Sequence, residues 1–344
     1  MFQTTSLCSQ PLGEQFIVLI LAGFDQLKTE SRMTQAYYYA KNSSRNVLSH
    51  IRQWFFFSIF FKLCILPASV DDVILFVELM AMTAGYDHIK NVIGSLTFLH
   101  KVLDLPFERE SFRLRLTLQS MKRRLARAPL QALPISIEHL QKMYQFVNLD
   151  DPEDLAIWTS ILVGFFGLFR KKNLVPEDLK DIDSFKILTR RKILLDNSRG
   201  VALVLVNFAK NNQFGQKELV VPLISNNCRA LDPVFHLNLL FTRTTAPPDS
   251  PAFTYKKQGR LQSVGYKSFT ARLKSLLSQA GLSPEQYSGH SLRRGGASFL
   301  HACGASHLQI QASGDWASSV FTKYLYITLE QRLQSQMMMA QNIR

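Results

Sequence analysis

The residues with the clearest capacity for chemistry lie near the end of the chain, in the segments GHSLRRGGASF and GDWASSVFTKYL. His290 and Arg293 are three residues apart at the start of a predicted helix, so their side chains point the same way. Trp316 and Tyr324 follow on the next predicted elements. A tyrosine can attack phosphorus when cations stabilise its phenolate, an arginine can hold phosphate oxygens with two donors, and a histidine can exchange the proton. This order of residues indicates metal-free phosphoryl transfer, which would also need a second arginine and a lysine that protonates the leaving oxygen.

Other kinds of catalytic site are not indicated. The sequence contains no H-E-x-x-H, no P-loop and no G-x-G-x-x-G motif. GHSLR is not a G-x-S-x-G nucleophile motif, because Arg293 replaces the closing glycine. The four cysteines are scattered without a C-x-x-C pair, which favours a reducing compartment over a disulfide framework or a zinc site. We therefore expect no metal, no cofactor and no small-molecule substrate.

The charge of the chain indicates a polyanionic partner. Lys and Arg number 40 against 26 Asp and Glu, a formal net charge of +14. One basic cluster spans residues 122–127 and another spans residues 256–294. A single cluster is more often a solvated helix face, but two clusters without matching acids favour phosphate contacts and hence double-stranded DNA. The residues that we assign to DNA binding are Lys90, Lys122, Arg123, Arg124 and Arg294.

Two apolar runs, residues 16–24 and 54–61, are too short to span a bilayer, which needs about 20 residues. The first lacks the flanks of a signal peptide, and the second is predicted to be a buried helix face. Apolar residues make up 47% of the chain and charged residues 19%, which argues against wholesale disorder. We expect a soluble intracellular protein without a membrane partner.

The 344 residues predict two domains. In the first half, Ser69 caps a helix that ends at Gly85, and the segments HIKNVIGSLTFLHKVL and ESFRLRLTLQSMKRRLAR predict two more helices. The proline-containing stretch APLQALP reads as a linker. We place an unassigned extension at residues 1–40, a helical domain at 41–129 and a second domain at 130–344.

The second domain mixes helices with a small sheet. Asp151 and Pro152 begin an apolar helix that should be buried. GVALVLVNF and ELVVPLI predict a β-hairpin, and helices return in SFTARLKSLLSQAG, GHSLRRGGASFLHACG and ASHLQIQASG. Glycines 281, 304 and 314 stand where helices end, and SSVFTKYLYITLEQRLQ predicts a last helix. The expected fold class is mainly α with a small β-sheet (α+β).

Taken in order, these segments resemble a known family. GFFGLFRKKNLVP, VNFAKNNQFGQ, the H-x-x-R box, GDW and KYL are similar to the motifs of the tyrosine recombinases, or phage integrases. The similarity is greatest to the recombinases of eukaryotic DIRS-like, Ngaro-like and Crypton-type mobile elements. It covers roughly residues 40–335, its C-terminal motifs are specific, and the N-terminal helices match only in pattern. In many family members a glutamate stands where this chain has Asn173.

The resemblance implies a core-binding domain and a catalytic domain that close as a clamp on DNA, cut and rejoin strands through a 3′-phosphotyrosine, and act as a tetramer on paired sites in the nucleus. The implied catalytic residues are Arg170, Lys210, His290, Arg293, Trp316 and Tyr324. Tyr324 would attack, Lys210 would protonate the leaving 5′ oxygen, and the other four would hold the phosphate. Lys217 remains an alternative to Lys210, and Tyr326 to Tyr324.

Three other interpretations remain open. A type IB topoisomerase-like enzyme would use similar chemistry but reseal the same strand. A domesticated or inactive mobile-element protein would only bind DNA, although all six catalytic positions are filled. A helical scaffold that binds proteins through its basic faces would leave the ordered set of residues as a coincidence.

Overall fold

The computed structural model describes residues 41–125, 132–180, 182–184, 186–206, 219–316, 319–326, 333 and 336–337. The chain divides into two compact units, Met1–Leu130 and Gln131–Arg344. The fold is mainly helical with a small antiparallel sheet, which confirms the predicted fold class. Within the described residues, every helix is too short or too polar to cross a membrane.

The described part of the first unit is helical. Its helices are α1 (Lys41–Phe60), α2 (Val70–Ala81), α3 (Tyr86–Val102) and α4 (Phe112–Leu125). The predicted cap of α2 is present, since the Ser69 side chain accepts a hydrogen bond from the Asp72 backbone N–H at 3.1 Å. The helices enclose a core in which the Trp54 and Phe76 rings lie 5.4 Å apart. Burial of this apolar surface holds the unit together.

The prediction of a buried face at residues 54–61 is wrong for part of that run. Trp54 and Phe57 are buried, but Phe56 and Phe60 are 73% and 79% exposed. A helix turns once every 3.6 residues, so consecutive apolar residues cannot all face one core. The sequence shows that the run is apolar without showing which side of the helix is covered.

The second unit surrounds a buried central helix. Its helices are α5 (Ile137–Tyr144), α6 (Pro152–Phe166), α7 (Lys171–Leu174), α8 (Pro233–Arg243), α9 (Tyr266–Gln279), α10 (His290–Ala302) and α11 (His307–Ser313). As predicted, Asp151 caps α6 by accepting from the Glu153 N–H at 3.0 Å, and Pro152 stands in its first turn. Helix α6 is buried almost all round and packs against α8 and α10.

A three-stranded antiparallel sheet lies beside these helices. Its strands are β1 (Ile193–Asp196), β2 (Val201–Val206) and β3 (Leu219–Ile224), in the order β1-β2-β3. Val204 pairs with Val221, so the predicted hairpin of β2 and β3 is confirmed. Residues 207–218, which connect these two strands, lie outside the described residues.

A second hairpin, β4 (Thr254–Lys257) and β5 (Arg260–Ser263), was not predicted. Its two turn residues, Gln258 and Gly259, have φ values of 50° and 77°, as a two-residue hairpin turn requires. The strands are short and carry several charges, so the apolar alternation that usually marks a strand is missing. Strand β1, with four residues, was missed because it is short.

The predicted last helix is interrupted within the described residues, and its residues 318, 327–332 and 334 lie outside them. A 3₁₀-helix covers Ser319–Lys323, and residues 324–326 that follow are not helical. The Leu325 N–H donates to the Thr322 carbonyl at 3.3 Å, which is the pattern of a tight turn. This ending places Tyr324 at the start of an irregular segment, against the core formed by Leu168, Ala297 and Phe321.

Candidate active site

Arg170 is positioned by a sharp exit from the central helix. The chain leaves α6 at Gly167, passes through Leu168 with a φ of 53°, and reaches Arg170, which immediately precedes α7. A Cβ on Gly167 would lie 2.8 Å from the Val163 carbonyl oxygen, so the turn requires a glycine. The left-handed conformation of Leu168 is unfavourable for a branched residue and persists where the surrounding structure holds it.

Helix α10 approaches this turn through two adjacent glycines. A Cβ on Gly295 would lie 1.8 Å from the Ile135 carbonyl oxygen, and one on Gly296 would lie 2.1 Å from the Phe165 carbonyl oxygen. Any side chain at either position would push the helix away. The glycine pair therefore brings Arg293, on the preceding turn of α10, against the Leu168–Arg170 turn.

Arg293 is the central cation of the site. Its guanidinium donates to the carbonyl oxygens of Leu168 and, at 2.6 Å, Gly314. The side chain is buried, and its Nε has no hydrogen-bond partner among the described residues. Burial, followed by the nearby positive charge of Arg170, lowers the pKa of Arg293 to about 9, while the negative charges that Tyr324 and Asp315 can carry act in the opposite direction. An anion entering the cleft would stabilise both cations.

Trp316 packs against this guanidinium. The guanidinium carbon of Arg293 lies 4.0 Å from the indole ring centre, within the range of a cation–π contact. A Cβ on Gly314 would lie 1.7 Å from an atom of the indole ring, so only glycine fits there. The indole Nε1 is buried and finds no acceptor within the part of the chain that the structure describes. A buried N–H donor without an acceptor costs free energy of folding, and a bound anion could supply the missing acceptor.

Tyr324 faces the same pair of side chains. Its ring centre lies 5.3 Å from that of Trp316 and 5.6 Å from the guanidinium carbon of Arg293. Tyr326, the alternative nucleophile, is 49% exposed. The structure therefore brings Tyr324, Trp316 and Arg293 into direct contact, and a cleft beside them is lined by Arg170, Arg293 and Gly314.

Of the remaining candidates of the catalytic set, His290 lies within the described residues. His290 is the first residue of α10, one turn before Arg293; its imidazole is exposed and its backbone N–H donates to the Ser288 hydroxyl at 3.2 Å. Lys210 and Lys217 lie outside the described residues. Among the described residues, no group of three His, Cys, Asp or Glu side chains could hold a metal ion.

The candidate DNA-binding residues differ in their surroundings. Lys90, Lys122 and Arg123 are exposed on helices of the first unit. Arg124 forms an ion pair with Glu78 at 3.1 Å. Arg294 is only 9% exposed and donates to the Ala132 carbonyl oxygen at 2.8 Å, so this guanidinium helps to hold the chain that precedes α5.

Sequence reasoning missed the role of a lysine beside Arg170. Lys171 follows Arg170, its Nζ donates to the Tyr266 hydroxyl, and its side chain would be 2.5 Å from a Cβ on Gly289. The hydrogen bond from Lys171 lowers the pKa of Tyr266. The run Arg-Lys-Lys was visible in the sequence, but the partner hydroxyl lies 95 residues further along. Only the three-dimensional fold shows which lysine is held, because it brings Tyr266 and Gly289 next to Lys171.

No protein-family model and no curated protein matches the chain. Solved structures do. The Tn1549 transposon integrase in complex with transposon right-end DNA is similar over 90% of this chain and 98% of that one, with 13% identity and a TM-score of 0.56. A lambda integrase dimer bound to a core site is similar over 88% of this chain and 94% of that one, with 11% identity and a TM-score of 0.55. The XerH site-specific recombinase bound to its difH substrate is similar over 79% of this chain and 72% of that one, with 16% identity and a TM-score of 0.54. The chain thus shares its fold with site-specific recombinases and integrases.

Proposed function

We propose that the protein is a tyrosine recombinase that cuts and rejoins double-stranded DNA through a covalent 3′-phosphotyrosine. The observation that carries this proposal is the contact between Tyr324, Trp316 and Arg293 beside Arg170. The nucleophile and the indole with the unpaired N–H thereby contact Arg293, which lines one cleft together with Arg170. The shared fold supports the proposal, because the similar integrase and recombinase structures are complexes with DNA.

In this mechanism, Tyr324 Oη attacks the scissile phosphorus and the bond from phosphorus to the 5′ oxygen breaks. Arg170, Arg293 and the Trp316 N–H stabilise the negative charge that develops on the non-bridging oxygens. His290 also holds the phosphate and accepts the proton that the Tyr324 hydroxyl releases, and Lys210 protonates the departing 5′ oxygen. Attack by a 5′-hydroxyl then reverses the step and frees Tyr324. The phosphotyrosine retains the bond energy, so rejoining needs no nucleotide cofactor.

The finer assignments belong to the same proposal. The order of motifs supports a recombinase of the type found in eukaryotic DIRS-like or Crypton-type mobile elements, which would act in the nucleus as a tetramer on paired sites. In this proposal, residues 41–129 form a core-binding domain and residues 130–344 form a catalytic domain. The exposed Lys90, Lys122 and Arg123, together with Arg124, would contact DNA phosphates. Arg294, which the sequence also suggested, is buried and bonded to the Ala132 carbonyl oxygen, so it is left out of this set.

The test is to trap the covalent intermediate. The full chain is incubated with nicked suicide duplexes whose sequence is randomised on both sides of the nick, and a protein–DNA band is sought on a denaturing gel. The proposal predicts a band from the wild type and from Tyr326→Phe, and none from Tyr324→Phe. Retarded DNA without a covalent band would support the binding-only alternative. If neither a covalent band nor retarded DNA is observed, the scaffold interpretation is supported.

A further inference from the structure

One hydroxyl group ties the segment that bears Tyr324 to helix α10. Ser298 Oγ accepts a hydrogen bond from the Tyr326 backbone N–H at 2.9 Å. The same hydroxyl lies 3.5 Å from the Tyr324 carbonyl oxygen, to which it can donate. A helical serine often donates to the carbonyl four residues earlier on its own helix, whereas Ser298 is directed to the neighbouring segment.

The other hydrogen bonds that we observe to the main chain of residues 319–326 are local, while the Tyr324 side chain also bonds with Arg293. The Tyr324 N–H donates to the Phe321 carbonyl at 2.8 Å, and the Thr322 hydroxyl donates to the Ser319 carbonyl at 2.8 Å. These bonds shape the turn, but they do not fix its position relative to the cations of the site. Apolar packing on Ala297 adds attraction without a defined register. The Ser298 hydroxyl supplies the directional contact to the main chain of this segment.

Helix α10 carries both Ser298 and Arg293, five residues apart. One rigid element therefore positions the guanidinium and the main chain of the nucleophile together. In-line attack on phosphorus depends on this relation, because a misplacement of about 1 Å can cost about 100-fold in rate. The relation also distinguishes the two tyrosines: Tyr324 faces Trp316, whereas Tyr326 is half-exposed, and a two-residue slip would exchange them.

We propose that Ser298 is a positioning residue that places Tyr324 in the cleft and excludes Tyr326 from attack. This inference rests on the proposed function and deepens it. Ser298 itself need not touch DNA, since its hydroxyl is engaged with the main chain at Tyr324 and Tyr326.

The experiment compares the wild type with Ser298→Ala, Ser298→Thr and Ser278→Ala. Ser278 is exposed on α9 and provides a matched loss of a hydroxyl elsewhere. The rate of covalent complex formation is measured at saturating protein on the nicked suicide duplexes, DNA affinity is measured by gel retardation, and the modified tyrosine is identified by peptide mass spectrometry.

Ser298→Ala should slow covalent complex formation by about 10- to 100-fold without changing DNA affinity. It should also yield a measurable fraction of adduct at Tyr326. Ser298→Thr, which keeps a hydroxyl, should recover most of the rate.

A second substrate separates positioning from proton donation. A duplex with sulfur in place of the 5′ bridging oxygen has a leaving group that needs no proton, so it should rescue Lys210→Ala but not Ser298→Ala. Rescue of Ser298→Ala, or a rate and adduct site equal to those of Ser278→Ala, overturns the inference while the proposed function stands. Absence of an adduct from the wild type overturns the proposed function instead.

Discussion

The Arg293 guanidinium carbon lies 4.0 Å from the centre of the Trp316 ring, and both side chains are buried. The contact leaves the indole Nε1 without an acceptor in the described part of the chain. Under the proposed function Trp316 would have two roles: its ring packs on the cation, and its N–H donates to a phosphate oxygen. A substitution that keeps the ring and removes the N–H can separate them.

Trp316→Phe is expected to slow covalent complex formation by about 100-fold, because the loss of one preorganised donor to a developing charge has an effect of this size. DNA affinity and the melting temperature should change little, since an aromatic ring still covers Arg293. Trp316→Ala should lower both the rate and the melting temperature. Single-turnover kinetics and thermal unfolding measure these effects. A rate for Trp316→Phe equal to that of the wild type would show that the indole N–H has no role in the reaction.

The cations of the cleft and those of the first unit should affect different quantities. Arg170→Ala should reduce the rate of covalent complex formation by about 100- to 1,000-fold and DNA affinity only slightly, because Arg170 lines the reacting cleft. Lys122→Gln combined with Arg123→Gln should weaken DNA binding and leave the rate at saturating protein unchanged. The slope of log affinity against log salt should decrease by about 0.9 for each lost phosphate contact.

Arg199→Gln serves as the control for charge alone, since Arg199 is exposed beside Asp196 at 3.6 Å. A loss of affinity from this variant as large as that from the double variant would indicate a general effect of net charge. In that case the assignment of Lys122 and Arg123 to phosphate contacts would be wrong.

Local patterns were sufficient to predict much of the fold. The Asp151 cap, the buried α6 and the β2–β3 hairpin depend on residues close in sequence, and each is confirmed. The order of motifs also picked out Arg293, Trp316 and Tyr324, which the structure brings into contact.

Contacts between distant residues could not be predicted in the same way. Ser298 reaches residues 26 and 28 positions away, and Lys171 reaches Tyr266 across 95 positions. Such contacts depend on how helices pack, which a single sequence does not specify. The exposure of Phe56 and Phe60 was missed for the same reason: an apolar run has no preferred side until its neighbours are known.

The glycine pair of α10 gives a prediction about packing. Gly296→Ala should destabilise the protein by about 1–3 kcal/mol, because its Cβ would overlap the Phe165 carbonyl oxygen and force the helix outward. The covalent complex should also form more slowly, since Arg293 moves with α10. Gly94→Ala is the matched control: Gly94 is within helix α3 with open space around its Cβ position, and its replacement should be neutral or stabilising by up to about 1 kcal/mol. Thermal and urea unfolding give both values, and equal effects from the two variants would contradict the close approach.

A buried ion pair at the other end of α6 can show whether a loss of folding stability leaves the rate of covalent complex formation unchanged. Arg272 donates to both carboxylate oxygens of Asp154, at 2.6 and 2.7 Å, and to the Phe146 carbonyl oxygen at 2.7 Å. The Asp154 side chain is 7% exposed, so removal of its partner leaves a nearly buried charge uncompensated. Arg272→Ala should destabilise the protein by about 2–4 kcal/mol, somewhat less than for a fully buried pair because Arg272 is itself partly exposed.

The exposed pair of Arg191 and Asp249, at 2.9 Å, is the matched comparison, and Arg191→Ala should cost at most about 1 kcal/mol. A double-mutant cycle with Asp154→Asn measures the coupling between Arg272 and Asp154. Asp154 is in the first turn of α6, a helix about 22 Å long, whereas Arg170 follows its last turn. The rate of covalent complex formation per folded molecule should therefore be unchanged in Arg272→Ala, at temperatures well below unfolding. A large loss of that rate in a folded variant would mean that the geometry of the cleft depends on the whole length of α6.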